Sequence, residues 1–205
     1  MRVALTFDDG YLEHAAVASL LHRLGIKATF FLVTGLRQWN ERQLLTSRPE
    51  LIQEMSNMGH EIGSHTFSHP NLVNITEAQM EEEFRESKSY LQTLLGHEIR
   101  GIAYPFGKYD ERVKGVATRY FEYARCDHCE GMSKKDRYEV TVECGYRSLG
   151  HCSLWITRDL MMGGSVATLL FHSISLRSVR VWCRYLKLIG AHFVTLSELV
   201  DYEYS

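Results

Sequence analysis

Val3-Ala4-Leu5-Thr6-Phe7-Asp8-Asp9-Gly10 is the stretch whose reading decides the fold. Val3, Leu5 and Phe7 alternate with Arg2, Ala4 and Thr6, the period-two pattern of a short strand. Two carboxylates close it, a glycine permits a tight turn, and an amphipathic helical pattern follows from about Tyr11 to Leu24. Successive strand side chains point to opposite faces, so Asp8 and Asp9 are expected to diverge at the strand tip and to do different work. Adjacent acids also occur in solvated turns, and Asp8 has a second reading as the N-cap of the helix beyond Gly10.

Working outward, short apolar runs alternate with longer amphipathic ones. Ala28 to Val33 reads as a buried strand, and Thr34 to Arg48 as a loop or short helix. Pro49 suits the first turn of a helix from Glu50 to Met58 that Gly59 stops. Glu61-Ile62-Gly63 reads as a strand with a loop from His65 to Pro70 beyond it. Thr76 and Gln79 form a capping box opening a helix through Leu95. Ile99 to Tyr104 is a strand, Pro105-Phe106-Gly107 a turn, and Asp110 caps a helix to about Arg119. Phe121 to Ala124, Val166 to Phe171 and Ala191 to Val194 complete the strands; helices are expected from Val179 to Ile189 and from Ser197, its N-cap. Residues 138–160 are the hardest to read, with Val140 and Val142 suggesting a strand. About seven strand–helix alternations predict a parallel sheet with crossover helices, as a barrel or an open doubly wound sheet.

The 205 residues suit one domain spanning 1–205, and no linker or repeat interrupts them. Hydrophobic residues make up 45% and charged residues 23%, with a formal net charge of −2, which gives no reason to expect nucleic acid or an anionic membrane as partner. No run approaches the ~18 apolar residues of a membrane span. Arg2 leads directly into a strand with no export signal, so a cytoplasmic location is expected. Five cysteines are too scattered for a disulfide framework; Cys126-Asp127-His128-Cys129 is read by default as free thiols, with a local disulfide or a structural metal as alternatives.

In both parallel architectures chemistry gathers at the carboxyl ends of strands. Asp8, Asp9, His65, His69, Tyr104 to Gly107 and His172 all fall at such ends. If the loop from His65 to His69 makes one helical turn, the two imidazoles lie on one side, about 6 Å apart at Cβ. With a carboxylate from a neighbouring strand they would form a two-histidine, one-acid set suited to zinc or a similar divalent ion.

Four segments carry a resemblance. Thr6-Phe7-Asp8-Asp9-Gly10, His65-x-x-x-His69 after Gly59-His60-Glu61-Ile62-Gly63-Ser64, Tyr104-Pro105-Phe106-Gly107 and Leu170-Phe171-His172 together resemble the polysaccharide deacetylase (NodB-homology) family, in order and spacing over nearly the whole chain. The resemblance implies a distorted (β/α)7, TIM-barrel-like α/β fold and removal of acetyl groups from N- or O-acetylated sugars. It implies Asp9, His65 and His69 as ligands of a divalent ion, zinc foremost, with cobalt or nickel as alternatives. Asp8 would be the general base and His172 the general acid. Tyr104, Pro105 and Phe106 would form the oxyanion and substrate-binding segment, with the Phe106 N–H as donor, and Leu170 would line the pocket for the acetyl methyl. The expected partner is an acetylated saccharide; the oligomeric state stays open.

Two departures stand out. Many relatives carry an arginine two residues before the proline of the third motif, where this chain has Ala103. Arg100, Arg147 or Arg158 reaching in from elsewhere, or Tyr104, are the candidates to hold the base. The acid and tryptophan of the fourth motif are not identifiable; Asp127 and Asp136 are the nearby acids and Trp155 a candidate aromatic wall. Two other readings stand beside deacetylation: hydrolysis of a non-sugar amide or imide, and carbohydrate binding without catalysis.

Overall fold

The structure is a computed structural model that describes residues 1–127, 136–142, 157 and 165–204. The strand at the head of the chain, β1 (Arg2–Phe7), lies in the middle of the molecule. After it come α1 (His14–Arg23), β2 (Thr29–Leu32), a hairpin of β3 (Gln38–Trp39) and β4 (Arg42–Gln43), α2 (Pro49–Asn57) and β5 (Glu61–Ser64). Then follow α3 (Glu77–Leu95), β6 (Gly101–Ala103), α4 (Glu111–Ala117), β7 (Tyr123–Arg125), β8 (Val166–Phe171), α5 (Leu176–Leu188), β9 (His192–Val194) and α6 (Leu196–Glu203). The main sheet runs β7-β6-β5-β2-β1-β8, with β9 also paired to β1, and every pair in it is parallel. The sheet curls into a half-barrel with helices outside it, the distorted (β/α)7 architecture that the motif resemblance implies.

Alternation along the strands separates two cores. Val3, Leu5 and Phe7 of β1, Phe30 of β2 and Leu169 of β8 face the helices, where Phe7 stacks on Phe30 at 4.8 Å between ring centroids. Each such buried phenylalanine stabilises the layer by roughly 1.5–3 kcal/mol. Ala4, Phe31, Ala103 and Tyr123 face the barrel interior and meet Leu196, Leu199 and Val200 of α6, which closes the bottom. There Glu61 accepts hydrogen bonds from the Thr29 hydroxyl (2.8 Å), the Tyr123 hydroxyl (2.8 Å) and the Ser197 N–H (3.0 Å), joining β2, β5, β7 and α6. The bottom is thus sealed, and the strands' carboxyl ends form the open face.

Several local expectations need correction. Residues 34–48 contain the β3–β4 hairpin, whose turn residues Asn40 and Glu41 have φ of 47° and 61°. The last helix is capped by Thr195, not Ser197: the Thr195 hydroxyl accepts from the Glu198 N–H while the Glu198 carboxylate accepts from the Thr195 N–H. β7 runs one residue past Ala124, to Arg125. Cys126 is disulfide-bonded, whereas free thiols were the default reading; Cys129 lies outside the described residues. Val140 pairs with Arg125 in an isolated parallel bridge.

Candidate active site

Asp8 continues β1 by one residue, its N–H donating to the Phe171 carbonyl at 3.0 Å, so its side chain keeps the inward parity of Ala4 and Thr6. Asp9 breaks that parity. Its φ of 69° swings the carboxylate back toward the same cleft, and the two acids converge where alternation predicts divergence. Gly10 follows at φ 76°, where an added Cβ would lie 2.8 Å from Leu32 Cδ2. A side chain there would be strained at this φ and would press on Leu32, so glycine suits the turn against β2.

His65 extends β5 and lies on the inward side. Its Nδ1–H donates to the Ala103 carbonyl at 2.8 Å, which fixes the tautomer and leaves Nε2 turned to the cleft. The connection to His69 is not the helical turn anticipated from the i, i+4 spacing. Thr66 and His69 have φ of 67° and 61°, the Thr66 hydroxyl accepts from the His69 N–H at 3.0 Å, and the Glu83 carboxylate accepts from the N–H groups of Phe67 and Ser68 at 2.9 and 2.7 Å. This loop nonetheless brings His69 Nε2 to 3.2 Å from His65 Nε2.

Asp9 Oδ1 completes a triangle, 3.5 Å from each imidazole nitrogen. Among the described residues this is the set of acids, histidines and cysteines whose geometry suits a metal ion. Tetrahedral ligands held about 2.0–2.1 Å from a zinc ion stand about 3.3 Å apart, so the three atoms fit such an ion with little movement. Electrostatics agree. Burial disfavours the charged Asp9, but His65, His172 and Tyr11 overcome it and hold the carboxyl well below its usual range. Burial and the neighbouring His65 push His69 down to about 4, leaving it neutral near pH 7. His65 is opposed by burial as well, yet Asp8 and Asp9 hold its pKa above the ordinary value.

Asp8 Oδ2 is 4.0 Å from His65 Nε2 and accepts from the Arg125 guanidinium, an ion pair with both side chains almost fully buried. Asp8 Oδ1 is buried with no partner, in a cleft of about 240 Å³ lined by Asp8, Asp9, Trp39, Asn40, His65, His69, Phe106, Gly107, Asp127 and His172. Arg125 points inward like Tyr123 two residues before it, lies over the Phe31 ring at 5.4 Å, and donates from Nη1 to the Cys126 carbonyl. It is the partner of Asp8 that sequence reasoning overlooked. Arg100 lies elsewhere, bonded to Glu122 and Asp201, and Arg147, Arg158 and Trp155 fall outside the described residues.

The third motif places Phe106 and Gly107 on the cleft. Phe106 has φ 60° and is 54% exposed, with its ring against His69 at 4.7 Å. Gly107 abuts Asp127, where a Cβ would come within 2.3 Å of the Asp127 Cβ. Pro105 is buried, and Tyr104 turns away: its ring stacks on Tyr109 and its hydroxyl donates to the Tyr138 carbonyl at 3.3 Å. Asp127 reaches the cleft, whereas Asp136 pairs with Lys114. His172 lines the cleft at the end of β8; Leu170, buried and paired with Thr6, lies below the lining residues. Beneath His172, fully buried His14 donates from Nε2 to the His172 carbonyl at 3.0 Å.

Six non-glycine residues among those described have positive φ: Asp9, Asn40, Glu41, Thr66, His69 and Phe106. All lie in the connections that build this one cleft, and each such conformation costs about 1–3 kcal/mol. Strain gathered in this way marks a constructed site.

Comparison with known proteins agrees with the geometry. The profile of the polysaccharide deacetylase family matches residues 1–121. The chain belongs to that family. A peptidoglycan-N-acetylglucosamine deacetylase of Bacillus cereus is 35% identical over 118 residues, covering 57% of this chain and 40% of that protein's length. The Bc1960 peptidoglycan N-acetylglucosamine deacetylase superposes with a TM-score of 0.70 at 25% identity, covering 96% of this chain and 86% of that one. A pseudoenzyme of the same family from Bacillus anthracis, BA3943, has a TM-score of 0.71 at 15% identity, covering 98% and 65%; at that identity the likeness concerns the fold alone. Among the described residues no helix is long and apolar enough to cross a membrane.

Proposed function

We propose that this polysaccharide deacetylase relative is a metal-dependent hydrolase that removes acetyl groups from N- or O-acetylated saccharide. The observation that carries the reading is the triangle of Asp9 Oδ1, His65 Nε2 and His69 Nε2, with edges of 3.2 to 3.5 Å, beside a buried carboxylate oxygen of Asp8 that has no partner. Asp9, His65 and His69 would hold the ion, zinc foremost. When bound, the ion supplies Lewis acidity, which lowers the pKa of a water and polarises the acetyl carbonyl.

The remaining work falls to the chain itself. Asp8, oriented by its ion pair with Arg125, accepts the proton of the attacking water through the Oδ1 side of its carboxylate. The backbone N–H of Phe106 donates to the carbonyl oxygen as negative charge develops there. His172 gives a proton to the departing nitrogen or oxygen, so that an amine or alcohol leaves rather than its anion.

Acetate release from acetylated chitooligosaccharides tests the reading. Activity that a chelator removes and zinc or cobalt restores is the expected result. Metal-dependent hydrolysis of a cyclic imide without acetate release, or saccharide binding indifferent to chelation and to Asp8→Asn, would overturn it.

A further inference from the structure

The cleft has two ends of different character. Asp8, Asp9, His65, His69 and His172 supply charge and proton transfer around the reacting carbon, whereas Trp39 and Asn40 at the tip of the β3–β4 hairpin supply an indole and an amide. The proposed chemistry gives these two residues no role. We propose that Trp39 and Asn40 are the specificity-determining contacts for the sugar ring that bears the acetyl group, the indole covering the apolar face of the pyranose and the amide bonding its hydroxyls. The inference rests on the saccharide reading above and adds to it the residues that tell a sugar from any other acetyl compound.

Three observations support it. The Trp39 ring lies against His69 with centroids 4.8 Å apart, so whatever reaches the ligand triangle also meets the indole. The rest of Trp39 packs with Leu36 against Tyr11, Val33 and Leu44, which anchors the ring and leaves its cleft side free for contact. A rigid aromatic platform loses little conformational freedom when a ligand docks on it. Finally, the hairpin is fastened to the chemical end of the cleft. Tyr11 pairs with Leu44, the Leu12 N–H donates to the Gln43 carbonyl at 2.9 Å, and Arg42 lies over the Tyr11 ring at 3.4 Å while pairing with Glu13. The Tyr11 phenol stands beside both Asp9 and Asn40, bridging the ligand triangle and the hairpin tip. Several contacts therefore tie the hairpin to the ligand triangle, which suits recognition of a ring at a set distance from its acetyl carbon. The positive φ of Asn40 aids that placement, since asparagine tolerates the left-handed region better than most residues.

The test compares wild type, Trp39→Ala, Trp39→Phe and Asn40→Gly, the last keeping the backbone conformation while removing the amide. Each is assayed in its zinc-loaded form on an N-acetylated chitooligosaccharide and on 4-nitrophenyl acetate, which has no sugar. The loss of kcat/KM in Trp39→Ala should be about tenfold greater on the saccharide than on the ester and should appear mainly in KM, with Trp39→Phe recovering much of it. Zinc affinity and saccharide binding are measured by calorimetry alongside. Equal losses on both substrates, or saccharide binding unchanged in Trp39→Ala and Asn40→Gly, would overturn the inference. Wild type that binds the saccharide through Trp39 yet releases no acetate would remove the deacetylase reading and leave this one standing.

Discussion

The guanidinium of Arg125 reaches the Asp8 carboxylate from a strand position whose register partner on β6 is Ala103. Arg125 and Ala103 are inward-facing neighbours on adjacent parallel strands, so a long side chain on either one enters the same part of the barrel. The methyl group of Ala103 leaves that space to Arg125. The arginine that many relatives carry in the third motif is thus matched, one strand over, by a residue with the same charge and a similar aim.

Arg125→Ala should lower kcat by about a hundredfold or more, because an unsteadied base is misplaced by about an ångström. It should also destabilise the fold by roughly 3–5 kcal/mol, since it leaves a buried carboxylate uncompensated. Arg125→Lys should recover part of the stability and less of the rate, a single ammonium being a poorer match for a carboxylate than the guanidinium fork. The informative variant is Ala103→Arg with Arg125→Ala, for which steady-state kinetics should show recovery over Arg125→Ala alone. No recovery, with the fold intact by circular dichroism, would mean that the register argument does not hold.

Much of this was readable from residue types. The period-two pattern of Val3 to Phe7, the capping box at Thr76 and Gln79, and the positions of Asp8, His65 and His172 at strand ends all follow from local rules that tertiary packing did not override. What escaped depended on single-residue register or on left-handed backbone. Ending the strand at Ala124 leaves Arg125 outside it, and one further residue turns it into an inward-facing strand end. Extrapolating strand parity separated Asp8 from Asp9, because nothing in the type of residue 9 announces φ 69°. Asn40-Glu41 is a weak hairpin signal without a glycine, so β3, β4 and Trp39 were hidden within a stretch of mixed polarity. Nothing in the sequence singles out His14, and only the fold places it under His172.

Zinc should bind with a stoichiometry of one and raise the midpoint of thermal unfolding. At a free concentration of a thousand times Kd the gain is about 4 kcal/mol, provided the unfolded chain binds the ion weakly. Asp9→Ala, His65→Ala and His69→Ala should each abolish most of that shift, because two ligands alone form a poor site. Differential scanning fluorimetry with and without chelator reads the effect directly. A full shift in all three variants would place the ion elsewhere.

The role proposed for His172 at the leaving group can be separated from a structural one by comparing an amide with an activated ester. An amine must be protonated to depart, whereas 4-nitrophenolate leaves unaided. In His172→Ala the rate on an N-acetylated saccharide should fall by about a hundredfold or more, within the range usual for loss of a general acid, and that on 4-nitrophenyl acetate far less. Parallel losses on both substrates would remove the assignment of His172 as acid.

His14 should govern part of the acid sensitivity of the fold. Complete burial pushes its pKa from 6.5 down to about 4, with only partial relief from the bond to the His172 carbonyl. Between those two values the unfolded chain holds the proton and the folded chain does not. The stability this ring contributes is therefore present above pH 6.5 and lost as pH falls to about 4, a change of roughly 3 kcal/mol for a shift of this size. His14→Gln keeps an N–H donor for the His172 carbonyl but does not titrate, so urea unfolding midpoints should vary less with pH between 4.5 and 6.5 in the variant than in wild type, a window of about two units. His14→Phe fills the space and loses the donor; its kcat should fall below that of His14→Gln, because the carbonyl behind His172 is then left without its partner. If His14→Gln titrates as steeply as wild type, the acid sensitivity belongs to other histidines and His14 is a spectator to it.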